Sequence, residues 1–258
     1  MVRARWTSLM NKHRRRPFYW LKSIPHRRYL ATLGILFGIL WITLGIAPKE
    51  RGAWAMENGP TILFIIAVAA FHKRLLLSRI SYTLIFVFVC LHEIGAHYTY
   101  ARVPYDDWCQ WFSGHRLNDL LGWKRNNFDR VVHFAYGLLL AYPIREVFLR
   151  VVNVRGFWGY FLPLDLTMST SMLFELLEWL TAVVFGSGAT DYLGTQGDQW
   201  DAHKDMALAS LGALLAMTFT ALINRSFQRD FAHEWNESLR VKNSKPLGEE
   251  VVVRMFAK

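Results

Sequence analysis

Six apolar runs with few interior charges constrain this chain more than any other feature, at about 29–47, 54–71, 80–100, 128–149, 164–185 and 203–224. At 1.5 Å of rise per residue, a helix of about 20 residues crosses roughly 30 Å of hydrocarbon. A lipid-embedded backbone must satisfy its own hydrogen bonds, which makes runs of this length helices. The sequence therefore predicts an all-α, polytopic integral membrane protein of six transmembrane helices. The expected division is a basic segment 1–28, a membrane domain 29–224 and a polar tail 225–258.

The first run follows nine Lys and Arg residues, with Arg14, Arg15 and Arg16 together. That arrangement is like a secretory signal, and Arg15-Arg16-Pro17-Phe18 is faintly like a twin-arginine signal. Pro48 follows the candidate cleavage point after Ala47 and blocks processing, so the run is read as an uncleaved first helix. Six spans put both ends on one side. A cytoplasmic N-terminus leaves nine Lys and Arg before the first span, three with each inner loop and seven in the tail, against eight on the other side. The positive-inside rule then places both termini in the cytoplasm of a multi-pass protein of the bacterial inner membrane.

The net charge of +10 could suggest a nucleic-acid partner, but the basic residues sit in loops and tails flanking the apolar runs. No basic helix face interleaved with aromatics appears, so no nucleic-acid role is read. Cys90 and Cys109 form no metal or redox spacing. The outer loop 101–127 mixes Tyr105, Trp108, Trp111, Phe112 and Trp123 with Asp106, Asp107 and Asp119; it reads as an aromatic interfacial segment or, more sharply, a substrate lid. Gly34, Gly38 and Gly45 read as close-approach positions, and Ser169, Thr170 and Ser171 as groups that pack or hydrogen-bond between helices. Pro163 followed by Asp165 suggests that the fifth helix starts there.

Acids and imidazoles collect at one depth. Glu93 and His97 share a face near the outer end of the third run, with His92 about 100° away. Asp129 and His133 stand four apart at the start of the fourth, sharing a face with Tyr136. Glu175 and Glu178 fall about 16 and 21 Å along the fifth. Asp198, Asp201, His203 and Asp205 open the sixth. Ionisable groups in a membrane are costly when unpaired, so such a cluster points to function.

Mixed carboxylate and imidazole donors suit zinc, manganese or iron, which would make a bound water acidic enough to attack near neutral pH. His97, Asp129, His133 and Asp205 are the favoured ligands, with His92 and Asp198 as further candidates. Glu175 and Glu178 are candidate proton acceptors, with Glu93 and Asp201 in the same catalytic set. The spacing matches neither the metalloprotease helix, since His97 follows His92 by five positions, nor the Glu-x-x-His of di-metal bundles. Two other readings stay open. The same acids could relay protons or an ion in a transporter, with only Asp165 and Glu146 as inner-side candidates, or they could simply hold the bundle together.

Together, His92-Glu93-Ile94-Gly95-Ala96-His97-Tyr98, Phe128-Asp129-Arg130-Val131-Val132-His133-Phe134, Phe174-Glu175-Leu176-Leu177-Glu178-Trp179 and Gly197-Asp198-Gln199-Trp200-Asp201 through Asp205 resemble the YjdF-type family of bacterial inner-membrane proteins, a family of unknown function. The likeness spans about 29–224. More distantly, Asp129 with His133 and Phe134, Glu175-Leu176-Leu177-Glu178, and Asp205 with Gly212 resemble the VanZ-like family. Glu178 stands where that family has Gln, and Ala209 where it has Asn. The VanZ-like resemblance implies a cell-envelope role near lipid or glycopeptide chemistry. The favoured expectation is a metal-dependent hydrolase or transferase acting on a membrane lipid or lipid-linked precursor; the alternatives are a proton-coupled carrier and a non-catalytic envelope-stress or antibiotic-tolerance protein.

Overall fold

The computed structural model describes residues 25–185, 196–242 and 254–256, all helix and connecting turns with no strand. The basic residues 1–24, with the triple-arginine run, lie outside them, as does most of the tail beyond 242. The helices are α1 (His26–Ile46), α2 (Arg51–Phe71), α3 (Arg79–Tyr98), α4 (Tyr105–Ser113), α5 (Leu117–Leu121), α6 (Phe128–Val147, ending in a π-helical turn Phe148–Val152), α7 (Trp158–Phe185), α8 (Asp201–Phe227) and α9 (Phe231–Ser238). Five are long and apolar enough to cross a membrane: α1, α2, α3, α6 with its π turn, and α8. The 28-residue α7 carries Asp165, Glu175 and Glu178 and falls outside that set.

The six long helices alternate in direction, and α6 is the hub, packed against α3, α7 and α8. Its tightest neighbour is α8. A Cβ on Gly137 would run into the Ala209 carbonyl, and one on Gly212 into the Phe134 carbonyl. Fully buried Ala141, Ala209 and Ala213 continue the seam. Lipid tails are as apolar as side chains, so burial alone does not drive helices together in a membrane; small residues admit close backbone approach and the dispersion contacts that come with it. The approach also fixes direction: α6 and α8 run parallel and begin at the same end of the molecule.

The glycines of α1 behave otherwise. A side chain on Gly34 or Gly38 would meet nothing within 4 Å, and only Gly45, against Trp54, is close to a neighbour. α1 has no buried residue. It is pinned to α3 near its two ends, by a hydrogen bond between the Tyr29 and Thr83 hydroxyls and by His97 Nδ1, which donates to the Leu44 carbonyl at 2.7 Å. The Gly-x-x-x-Gly spacing here faces outward instead of joining helices.

α7 starts at Trp158, five residues before Pro163, where the sequence suggested its start. An aromatic cluster holds this earlier turn: Phe157 and Tyr160 meet Trp235 of α9, and Tyr160 also meets Phe231. Ser238 Oγ accepts from the Phe157 amide at 2.9 Å, and the Trp158 indole donates to the Ser238 carbonyl at 2.8 Å. Gly156, at φ +57°, lets the chain pass the end of α9. Within the tail, α9 is therefore a docked helix. At the opposite end α4 leaves Trp111 and Phe112 about 80% exposed, the surface expected of an amphipathic interfacial helix.

Replacing Gly137 or Gly212 by Val forces α6 and α8 apart. Each variant should lose about 1–3 kcal/mol, the usual cost of overpacking, read as a lower unfolding midpoint in detergent, whereas Gly34→Val should leave the midpoint unchanged.

Candidate functional site

The parallel start of α6 and α8 brings their first turns side by side, with the C-terminal half of α7 and the end of α3 alongside. Two layers of polar groups result. The upper layer is an ionic cap. Asp201, the first residue of α8, accepts from Arg125 through both its oxygens, at 2.6 and 3.2 Å, and from Arg130 at 3.1 Å. Asp198 accepts from Arg130 and from Lys204, both at 2.5 Å, and from the Trp200 amide at 3.1 Å. The positive end of the α8 dipole favours both carboxylates. The Lys204 ammonium, the Trp200 amide and Arg130 hold the Asp198 carboxyl low, at about 2.

Gln196 ties this cap to the start of α6: its side chain donates to the Asn126 carbonyl at 2.9 Å and accepts from the Asn126 amide at 3.2 Å. Asn126 in turn accepts from the Phe128 amide at 3.0 Å, which orients the first turn of α6.

Beneath the cap lies the second layer. One ligand atom from each of Asp129, His133 and Asp205 falls within 4.8 Å of the others. His133 Nε2 is 3.6 Å from Asp129 Oδ1 and 3.4 Å from Glu175 Oε1. Glu175 Oε1 and Asp205 Oδ1 are nonetheless buried without a hydrogen-bond partner among the described residues. Like charges at this separation repel by on the order of 3 kcal/mol per pair at an effective dielectric constant of about 20. The cap arginines are already engaged above, so this group of acids around one imidazole calls for protons or a cation.

A third polar group sits between α2 and α3. Among the described residues, buried Glu57 and Glu93 leave Oε2 of the first and both oxygens of the second without partners. His92 Nε2 donates to the Glu57 carbonyl at 3.4 Å, and His92 Nδ1 shares a hydrogen bond with the Tyr100 hydroxyl at 2.5 Å.

The expected site residues thus separate. Asp129, His133, Asp205 and Glu175 meet. Glu178, from the next turn of α7, lines the same cavity as Asp129, His133 and His92. Asp198 and Asp201 belong to the arginine cap, Glu93 to the α2–α3 group, and His97 to the α1 contact, where its own carbonyl also accepts from the Lys49 amide at 2.9 Å. Glu57, Arg125, Arg130 and Tyr100 were not singled out from the sequence as site residues. A glutamate inside an apolar run was the available signal for Glu57; the arginine pairing crosses some 70 positions and has no local signature.

A family model described as "Predicted membrane protein (DUF2238)" matches residues 29–226. The chain is also 37% identical over 193 residues, 74% of its length and 88% of the other's, to "Inner membrane protein YjdF" of Escherichia coli (strain K12). The chain belongs to the DUF2238 family. No solved structure matches it. Membership and the run of apolar helices make it a multi-pass inner-membrane protein, and the matched segment of the DUF2238 family contains both polar layers and the α2–α3 group.

Because the Asp198 carboxyl is held below its unfolded value of about 3.9, its stabilising effect is present above that value and is lost as pH falls through about 2. Asp198→Asn should melt at a lower temperature than the unaltered protein at pH 7, and the gap should close as the pH approaches 2. A gap that is independent of pH would count against the ionic cap.

Proposed function

We propose that the second layer is a divalent-metal centre of a hydrolase or transferase whose substrate is a membrane lipid or lipid-linked precursor. The observation that carries the reading is the unpartnered Asp205 Oδ1 and Glu175 Oε1 beside His133 Nε2, with Asp129 completing a set of one nitrogen and several oxygens. Such a donor set fits zinc, manganese or iron. Bound there, a metal would supply an acidified water.

The chain's own residues have distinct parts in this reading. Asp129, His133 and Asp205 would hold the ion. Glu175, 3.4 Å from His133 Nε2, accepts the proton of the attacking water, and Glu178 receives it next. The cap of Asp198, Asp201, Arg125 and Arg130 fixes the first turns of α6 and α8 and so the spacing of the ligands. In the same proposal α7 is the fifth of six spans and both termini are cytoplasmic, which opens the site to the outer face.

Transport by the same acids is less well supported. Glu146 is engaged in receiving the Ser78 amide at 2.8 Å and the Ser81 hydroxyl at 2.6 Å at the start of α3, and Asp165 is exposed on α7. Neither residue lines the cavity.

Elemental analysis of purified protein should find about one divalent ion per chain. Asp129→Ala and His133→Ala should each lower its retention by a factor of at least about 10, the scale of losing one ligand interaction of 1.4 kcal/mol. Metal content that is the same in both variants and in the unaltered protein would end the proposal.

A further inference from the structure

The site stands at one end of a cavity of about 550 Å³, within the range of small-molecule sites. One stripe of α6 follows it along the helix: Asp129, Val132, Tyr136, Leu140, Ile144 and Val147 all line it. At 1.5 Å per residue that stripe is about 27 Å long, close to the roughly 30 Å of a whole hydrocarbon core. The far wall is Phe64, Val68 and Phe71 of α2, and the floor is Leu75 and Leu77. Ionisable acids and imidazoles line only the end at the start of α6; Thr170, Ser171 and Tyr136 lie part-way, and the remaining length is walled by apolar side chains apart from Thr61 and Tyr82.

The cavity is also open sideways. α2 packs on α3, and α7 on α6 and α8, so α2 and α7 face each other across the cavity. The flanking faces of both helices are apolar and exposed, with Leu63 at 70% and Leu173 at 53%. A bilayer chain can enter here without crossing water.

From this geometry we infer that the cavity holds a single-chain lipid of polyisoprenoid length, its polar group at Asp129, His133 and Glu178 and its chain running past the bilayer midplane to Leu75 and Leu77. This rests on the lipid-substrate reading above but names the chain. A two-chain glycerolipid fits less well, because each of its chains ends within one leaflet, about half the core, and two chains need width where the cavity offers length. The acids around His133 meet the polar group, while the chain's contacts with the apolar wall set affinity.

The test uses the full-length protein in nanodiscs with photoreactive polyprenyl monophosphates of short and long chain, and with a photoreactive diacyl phosphatidylglycerol for comparison. The long polyprenyl probe should label the α6 stripe and α2 down to Phe71, compete with its unlabelled form, and outbind the short one. Val68→Trp and Leu140→Phe, which fill the distal part, should weaken the long probe at least about tenfold, the loss of contact with two or so chain carbons, and leave the short one unchanged. Ile66→Trp, on the lipid-facing side of α2, should change neither. Melting curves in parallel identify any variant that has lost its fold, and the unaltered protein's dependence on chain length decides the matter without them. Equal binding of long, short and diacyl probes, or labelling confined to lipid-facing residues, would overturn the inference. Metal content measured on the same samples separates the two claims: chain-length selectivity without metal refutes the centre alone, and metal without selectivity refutes the chain alone.

Discussion

The backbone contact between α6 and α8 governs the rest of the structure. Gly137 and Gly212 each sit where a methyl group would meet the opposite helix's carbonyl, so the two backbones touch with no side chain between them, and in a bilayer that closeness replaces the hydrophobic drive available in water. Two parallel helices in such contact must also begin together. Asp129 and His133 on one, and Asp201 and Asp205 on the other, are thereby brought to one level with no further design, and α7 only has to return past them to add Glu175 and Glu178.

Charge is then sorted by depth. At the helix mouths, three cations meet Asp198 and Asp201, and hydrogen bonds join most of the partners. One turn further in, the acids outnumber the bases, and among the described residues His133 is the one basic group paired with them. Removing a partner from a buried ion pair costs more than the pair contributes, because an unmatched charge remains. The cap is thus suited to setting geometry, and the unmatched layer below it to binding something that brings positive charge.

Much of this was legible in the sequence because membrane helices carry their own length and periodicity. Five of the six expected spans, the shared face of Asp129 and His133, and the approach of Asp205 follow from run length and a four-residue spacing. What spacing cannot show is which neighbour a face meets. Gly34 and Gly38 have the spacing of a helix-pairing seam but lie on peripheral α1, while the seam itself runs through single glycines flanked by alanines. His97 looked like a partner for His133 and instead faces α1. The start of α7 was read from Pro163, yet aromatic packing against α9, a helix distant in sequence, carries that helix five residues further back.

The attachment of α1 bears on how the molecule is made. This helix has no buried residue; Trp41 donates to Asn58 of α2 at 2.5 Å, and the pins to α3, Tyr29 to Thr83 and Leu44 to His97, join residues some 50 positions apart. The most tightly joined pair, by contrast, is completed only when α8 leaves the ribosome. The first three helices can therefore join one another before the α6–α8 seam exists, and the polar site is completed only when the last span is added.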